Sequence, residues 1–115
     1  MTEVGADIIE IDRVAKAAER ERFLQRIYTP DEIAYCRSKA KPEQHLAGFF
    51  AAKEAVIKSL GRMVPWHDIE ISHDGAGKPV VTLHGKALEA AAGGRVSVSI
   101  SHCRTYAVAF AVLER

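Results

Sequence analysis

Residues 96–112 constrain the fold most. Val96, Val98 and Ile100 alternate with Ser97, Ser99 and Ser101. After a short turn, Tyr106, Val108, Phe110 and Val112 alternate with Ala107, Ala109 and Ala111. A strict period of two sends successive side chains to opposite faces, which predicts two strands joined as an antiparallel hairpin. A hairpin with an apolar face needs a partner layer. The longest helical tract runs from Pro42 to Gly61, with Pro42 suited to the first helical position and Gly61 to the stop. Its small residues Ala47, Gly48, Ala51, Ala52 and Ala55 would let another element approach closely.

The remaining elements follow from local signals. Residues 4–11 read as a strand with Val4, Ala6 and Ile8 on one face and Gly5, Asp7 and Ile9 on the other. Both faces are mostly apolar, so cover on both sides is expected. Asp12 can cap a helix reaching about residue 26. Thr29-Pro30-Asp31-Glu32 reads as a capping box opening a helix to about residue 39. Strands over 69–73 and 80–83 flank the turn 74–79, and a short helix over 85–92 stops at Gly93-Gly94. The class is α+β: one domain over 1–115, with an antiparallel sheet packed on a long helix.

Bulk composition removes several function classes. The 115 residues are 48% hydrophobic and 27% charged, ordinary for a globular domain. A net charge of +1 exerts no global pull toward nucleic acid or membrane. Cys36 and Cys103 form no CxxC, and the five histidines are scattered without an HExxH. No apolar run approaches the roughly 20 residues of a membrane span, and the N-terminus lacks a signal-peptide layout. A cytoplasmic protein with reduced thiols is expected.

Chemistry concentrates in a few residues. Asp7 lies in an apolar run, where an ionised carboxylate is costly unless paired, hydrogen-bonded or metal-bound. Glu54 and Lys58 are four apart on the long helix and share a face. The bland alternative is a surface ion pair, but Phe50, Ala51, Ala55 and Ile57 leave that helix little solvated surface. Two carboxylates without a thiolate or histidine pair favour a hard cation, Mg²⁺ before Zn²⁺. His102 ends a strand on its apolar side, as a core or turn residue or as a phosphate contact or base. Cys103 beside it reads as inert, with no neighbour to depress its pKa. Arg13, Lys16 and Arg20 make a basic stripe that Arg22 and Arg26 extend, either a solvated face or a dock for an acidic protein.

Three segments together resemble the bacterial holo-acyl-carrier-protein synthases, small 4′-phosphopantetheinyl transferases. Residues 5–13 (Gly-Ala-Asp-Ile-Ile-Glu-Ile-Asp-Arg) are similar to that family's G-x-D opening. Phe50-Ala51-Ala52-Lys53-Glu54-Ala55-Val56-Ile57-Lys58 is similar to its F-A-x-K-E-A-x-x-K signature, and residues 97–110 to its C-terminal hairpin. The resemblance implies transfer of phosphopantetheine from coenzyme A to a serine of apo acyl carrier protein, releasing adenosine 3′,5′-bisphosphate. It implies Mg²⁺ on Asp7 and Glu54, with Lys58 offsetting phosphate charge. His102 would contact the coenzyme or help deprotonate the serine. Arg13, with Arg20, Arg22 and Arg26, would meet the acidic carrier. It also implies a homotrimer with sites between subunits, for which the face Ala107, Ala109, Ala111 suits subunit packing or ordinary core packing equally.

Two positions depart from the pattern. Phe49 stands where the family often has arginine, and Gly61-Arg62-Met63 replaces a loop that is commonly Gly-Thr-Gly. Lys41 and Arg62 are the candidates to supply the phosphate contacts. The competing readings are a non-catalytic carrier-protein or nucleotide-binding module that kept the fold, and an unrelated Mg²⁺-dependent hydrolase. The sequence does not distinguish a fatty-acid from a polyketide carrier.

Overall fold

The alternating C-terminal runs form a hairpin in the computed structural model, which describes residues 1–115. Strand β4 (Arg95–His102) pairs antiparallel with β5 (Tyr106–Glu114), Val98 opposite Ala111. Strand β1 (Thr2–Glu10) pairs antiparallel with the other edge of β5, giving the order β1-β5-β4. The long helix α4 (Pro42–Leu60) covers one face of this sheet. Between β1 and α4 lie α1 (Ile11–Ala17), α2 (Glu21–Ile27) and α3 (Pro30–Arg37). After α4 come a 3₁₀ turn (Trp66–Asp68), the two-stranded ribbon β2 (Ile69–His73) and β3 (Pro79–Leu83), and α5 (Gly85–Ala91).

The inner face explains the alanines. Ala107, Ala109, Ala111 and Leu113 are all at most 1% exposed and join a core of 26 residues with Ala47, Ala51 and Ala55 of α4. That alanine face is core packing, not a subunit contact. The close approach needs Gly5: a side chain there would overlap the Ala55 carbonyl oxygen and sit 2.8 Å from the Ser59 nitrogen. The opposite face is bare in the single chain, with Val4 62%, Ile8 63% and Phe110 55% exposed. Cover on both sides of β1 is therefore not found, because only one helical layer packs on the sheet.

The expected helix over 12–26 is two helices, broken around Ala18–Arg20. In one straight helix Ile11 and Ile27 would point about 160° apart, yet both are buried on the same body. The break lets each short helix bury its own apolar pair, Ile11 with Val14 and Leu24 with Ile27. Asp12 does not cap. Glu10 occupies the N-cap without a side-chain bond, and Asp12 sits in the first turn, where its charge suits the helix dipole. The Thr29 capping box forms as expected: Glu32 N donates to Thr29 Oγ1 at 3.2 Å and Thr29 N to Glu32 Oε1 at 2.8 Å. Gly61 ends α4 at φ 77°, the left-handed stop. No helix is long and apolar enough to cross a membrane.

One buried ion pair ties the helices together. Lys53 is fully buried and donates to Glu32 Oε1 at 2.7 Å, Ile27 O at 2.8 Å and Trp66 O at 3.3 Å. Glu32 also accepts from Ile71 N at 2.7 Å, so α2, α3, β2 and the 3₁₀ turn converge on α4. Burial pulls the Lys53 pKa down and the Glu32 carboxylate opposes that pull.

Candidate active site

Glu54 and Lys58 stand one turn apart on α4, and the glycine contact at Gly5 lays β1 against them. Asp7 follows two residues after Gly5 and so faces α4 rather than solvent. Lys58 Nζ donates to the Ala6 carbonyl at 2.9 Å and to Asp7 Oδ1 at 3.4 Å. The Asp7 side chain is 16% exposed and that of Lys58 is 53% exposed. The Glu54 carboxyl is pushed above its ordinary pKa, first by burial and then by the Asp7 charge, with Lys58 opposing. Two acids 47 positions apart in the chain therefore line one open cavity of about 470 Å³, together with Arg13, Phe23 and Phe50.

The donor set fits a hard divalent cation. Its two carboxylates repel one another, one lysine offsets them only in part, and no third histidine, cysteine or carboxylate completes a soft-metal cluster. Mg²⁺ takes one or two protein carboxylates and leaves its other positions to water and phosphate oxygens.

The other predicted residues are distributed around this centre. His102 does not reach it within one chain. Asp7, Ala109 and Ile100 lie side by side across the three strands, and His102 is two residues further along β4. That separates His102 from Asp7 by about 12 Å between backbones. His102 instead lines a second cavity, about 220 Å³, with His45, His73, Tyr35 and Phe49 on the other flank of α4. Arg13 borders both the acidic cavity and an adjoining basic concavity with Lys16 and Arg20. The stripe survives the helix break, since Arg20 belongs to the turn before α2 rather than to α1. Arg20, Arg22 and Arg26 continue it along α2. Lys41 and Arg62 are exposed at opposite ends of α4 and line neither of the two cavities. Phe49 is only 2% exposed and stacks on Tyr35 and His73.

Three features escaped the sequence. The Lys53–Glu32 pair joins a residue read only within the 50–58 signature to one read only as a cap. His45, His73 and His102 come from α4, β2 and β4, and no spacing rule links them. The exposed Cys103 thiol is held below its usual pKa by backbone N–H groups, Thr105 first and Tyr106 next. Turn geometry supplies that cause, and no neighbouring side chain does.

A family model described as ACPS, the 4′-phosphopantetheinyl transferase superfamily, matches residues 3–111. The chain belongs to that superfamily. Curated holo-[acyl-carrier-protein] synthases resemble it over nearly the full length. The protein from Koribacter versatilis is 45% identical over 96% of this chain and 95% of its own, and that from Moorella thermoacetica 46% identical over 99% and 94%. Among solved structures, the Helicobacter pylori synthase in complex with coenzyme A superposes with a TM-score of 0.87 at 34% identity, covering 96% of this chain and 99% of its own. The Neisseria meningitidis synthase gives 0.86 at 34% identity, covering 98% of each. The α+β architecture is thus that of the phosphopantetheinyl transferases, and the chain is an enzyme of the holo-[acyl-carrier-protein] synthase type. Asp7 and Glu54 share one cavity wall in this phosphopantetheinyl transferase, and Lys58 pairs with Asp7 beside it.

Proposed function

We propose that this phosphopantetheinyl transferase moves 4′-phosphopantetheine from coenzyme A to a serine of an apo acyl carrier protein, with Asp7 and Glu54 holding Mg²⁺. The observation that carries this reading is the pair of carboxylates on one cavity wall, with the Asp7 charge raising the Glu54 pKa and Lys58 beside them. The serine oxygen forms a bond to the β-phosphorus, and the bond from that phosphorus to the adenosine 3′,5′-bisphosphate oxygen breaks. The hydroxyl proton passes to an acceptor, and the leaving phosphate takes the electron pair. Phosphoryl transfer of this kind needs in-line positioning and charge stabilisation more than covalent catalysis. Bound Mg²⁺ would supply Lewis-acid neutralisation of the diphosphate oxygens. Lys58 sits where it can offset the same charge, and Arg13 borders the cavity where an acidic carrier would arrive.

The distance between His102 and the acids supports assembly of the complete site from more than one copy. The bare sheet face, with Val4, Ile8, Tyr106 and Phe110 exposed, is apolar enough to pack copies together. We assign this face to a homotrimer in which the acids of one copy work beside His102 of a neighbour. Lys41 and Arg62 lie outside both cavities, Lys41 one helical turn before His45 of the second cavity, where a coenzyme extending beyond that cavity would meet it.

The test is the mass of an apo carrier protein after incubation with coenzyme A and Mg²⁺. A gain of one phosphopantetheine is expected, lost on chelation and lost in folded Asp7→Ala and Glu54→Ala proteins. Full activity in either variant would overturn the metal assignment. Coenzyme binding without any mass gain would favour a non-catalytic binding module.

A further inference from the structure

The second cavity has a chemistry of its own. Its wall gathers three imidazoles, His45 from α4, His73 from β2 and His102 from β4. Tyr35 of α3 stacks on His73 at 4.3 Å between ring centres and meets His45 edge-on at 6.0 Å. His45 and His102 lie 6.4 Å apart, and Lys39 places its ammonium 4.7 Å from the Tyr35 ring centre. The other two histidines of the chain are occupied: His67 bonds the Gln25 carbonyl and His84 the Glu70 carboxylate. None of the three around the cavity makes such a bond, and the buried Nδ1 of His73 has no partner at all. Three imidazoles with unused nitrogens around one concavity, next to a lysine, make a receptor for an anion.

The structure assigns to His45 and His73, with Lys39, the recognition of a phosphate group of the coenzyme, by imidazoles that take up protons as the anion binds. This rests on the transferase reading, in which His102 on the same wall meets the coenzyme. It also accounts for Phe49. That ring cannot contact phosphate charge itself, but it stacks on Tyr35 and His73 and holds the His73 ring in place.

The charges facing the two rings set the direction of the effect. Burial, then Lys39, His102 and His73, hold His45 below its usual pKa, with Glu43 opposing. Burial and Lys39 lower His73, with Asp74 opposing. Both rings are thus neutral at neutral pH without ligand. An arriving anion favours the protonated form, so their contribution to binding grows as pH falls.

The test compares coenzyme A binding to the wild-type protein and to His45→Gln/His73→Gln by calorimetry, near pH 8 and near pH 6. Taking the ratio of the two Kd values cancels the coenzyme's own phosphate titration. The variant should bind about as tightly as wild type near pH 8, and about tenfold more weakly near pH 6, the combined effect of a pKa rise of about one unit on each of two rings, each several-fold at that pH. In parallel, NMR of the imidazole rings should show the pKa values of His45 and His73 rising when coenzyme A is added. The single variants, each checked by thermal melting, cover the case in which the double variant unfolds. A Kd ratio independent of pH, or ring pKa values that coenzyme leaves unmoved, would overturn the assignment while leaving the transferase reading intact. Failure of coenzyme A to bind the wild type at either pH would overturn both.

Discussion

Glu54 sits half-buried with the Asp7 charge facing it, and both influences disfavour its ionised form. Its folded pKa lies above its unfolded value, so the group favours folding at low pH, and that contribution is lost as pH rises through the raised folded pKa. Metal-free Glu54→Gln should therefore melt above wild type at neutral pH. The gap should close as the pH is lowered past the raised pKa toward the ordinary carboxylate value of 4.5. Added Mg²⁺ should raise the melting temperature of the wild type and leave that of Glu54→Gln unmoved, since only a ligand that binds the folded site stabilises it. Identical responses would remove Glu54 from the metal site. At this scale the sequence was informative where one helix carries the signal, as with Glu54 and Lys58. It was silent where distant segments meet, as with His45 and His73.

The junction of β1 with α4 depends on the absence of a side chain at Gly5. Gly5→Ala should cost about 3 kcal/mol in urea unfolding, because the added methyl overlaps helix backbone that cannot yield cheaply. It should also weaken Mg²⁺ binding by displacing Asp7; an unchanged melting curve would contradict the packing described. Helix α4 has a second anchor in Lys53. Lys53→Met leaves the Glu32 carboxylate buried without its cation and should cost about 3–5 kcal/mol. Lys53→Met/Glu32→Gln should recover part of that loss, because the amide oxygen still accepts from Thr29 N or Ile71 N; equal losses would deny the coupling. Strands, turns and the long helix were readable from period and caps. The break between α1 and α2 was not, because it answers to where Leu24 and Ile27 must be buried and not to any local breaker. The partner of Lys53 was hidden for the same reason.

For the molecule as a whole, the bare sheet face and the separation of His102 from the acids make one argument. The outward alternation of β1 and β5 was visible in the sequence, but which face stays uncovered depended on having one helical layer instead of two. Subunit complementation tests the central claim most directly. Glu54→Ala and His102→Ala chains would each be purified, then unfolded and refolded together, and the mass gain of an apo carrier followed with coenzyme A and Mg²⁺. Each variant alone should transfer little. In randomly mixed trimers about a quarter of the junctions join intact acids to an intact His102, so about a quarter of the wild-type activity per site should return. Mixed trimers, verified by native mass spectrometry, that remain as silent as the separate variants would contradict a site shared between copies.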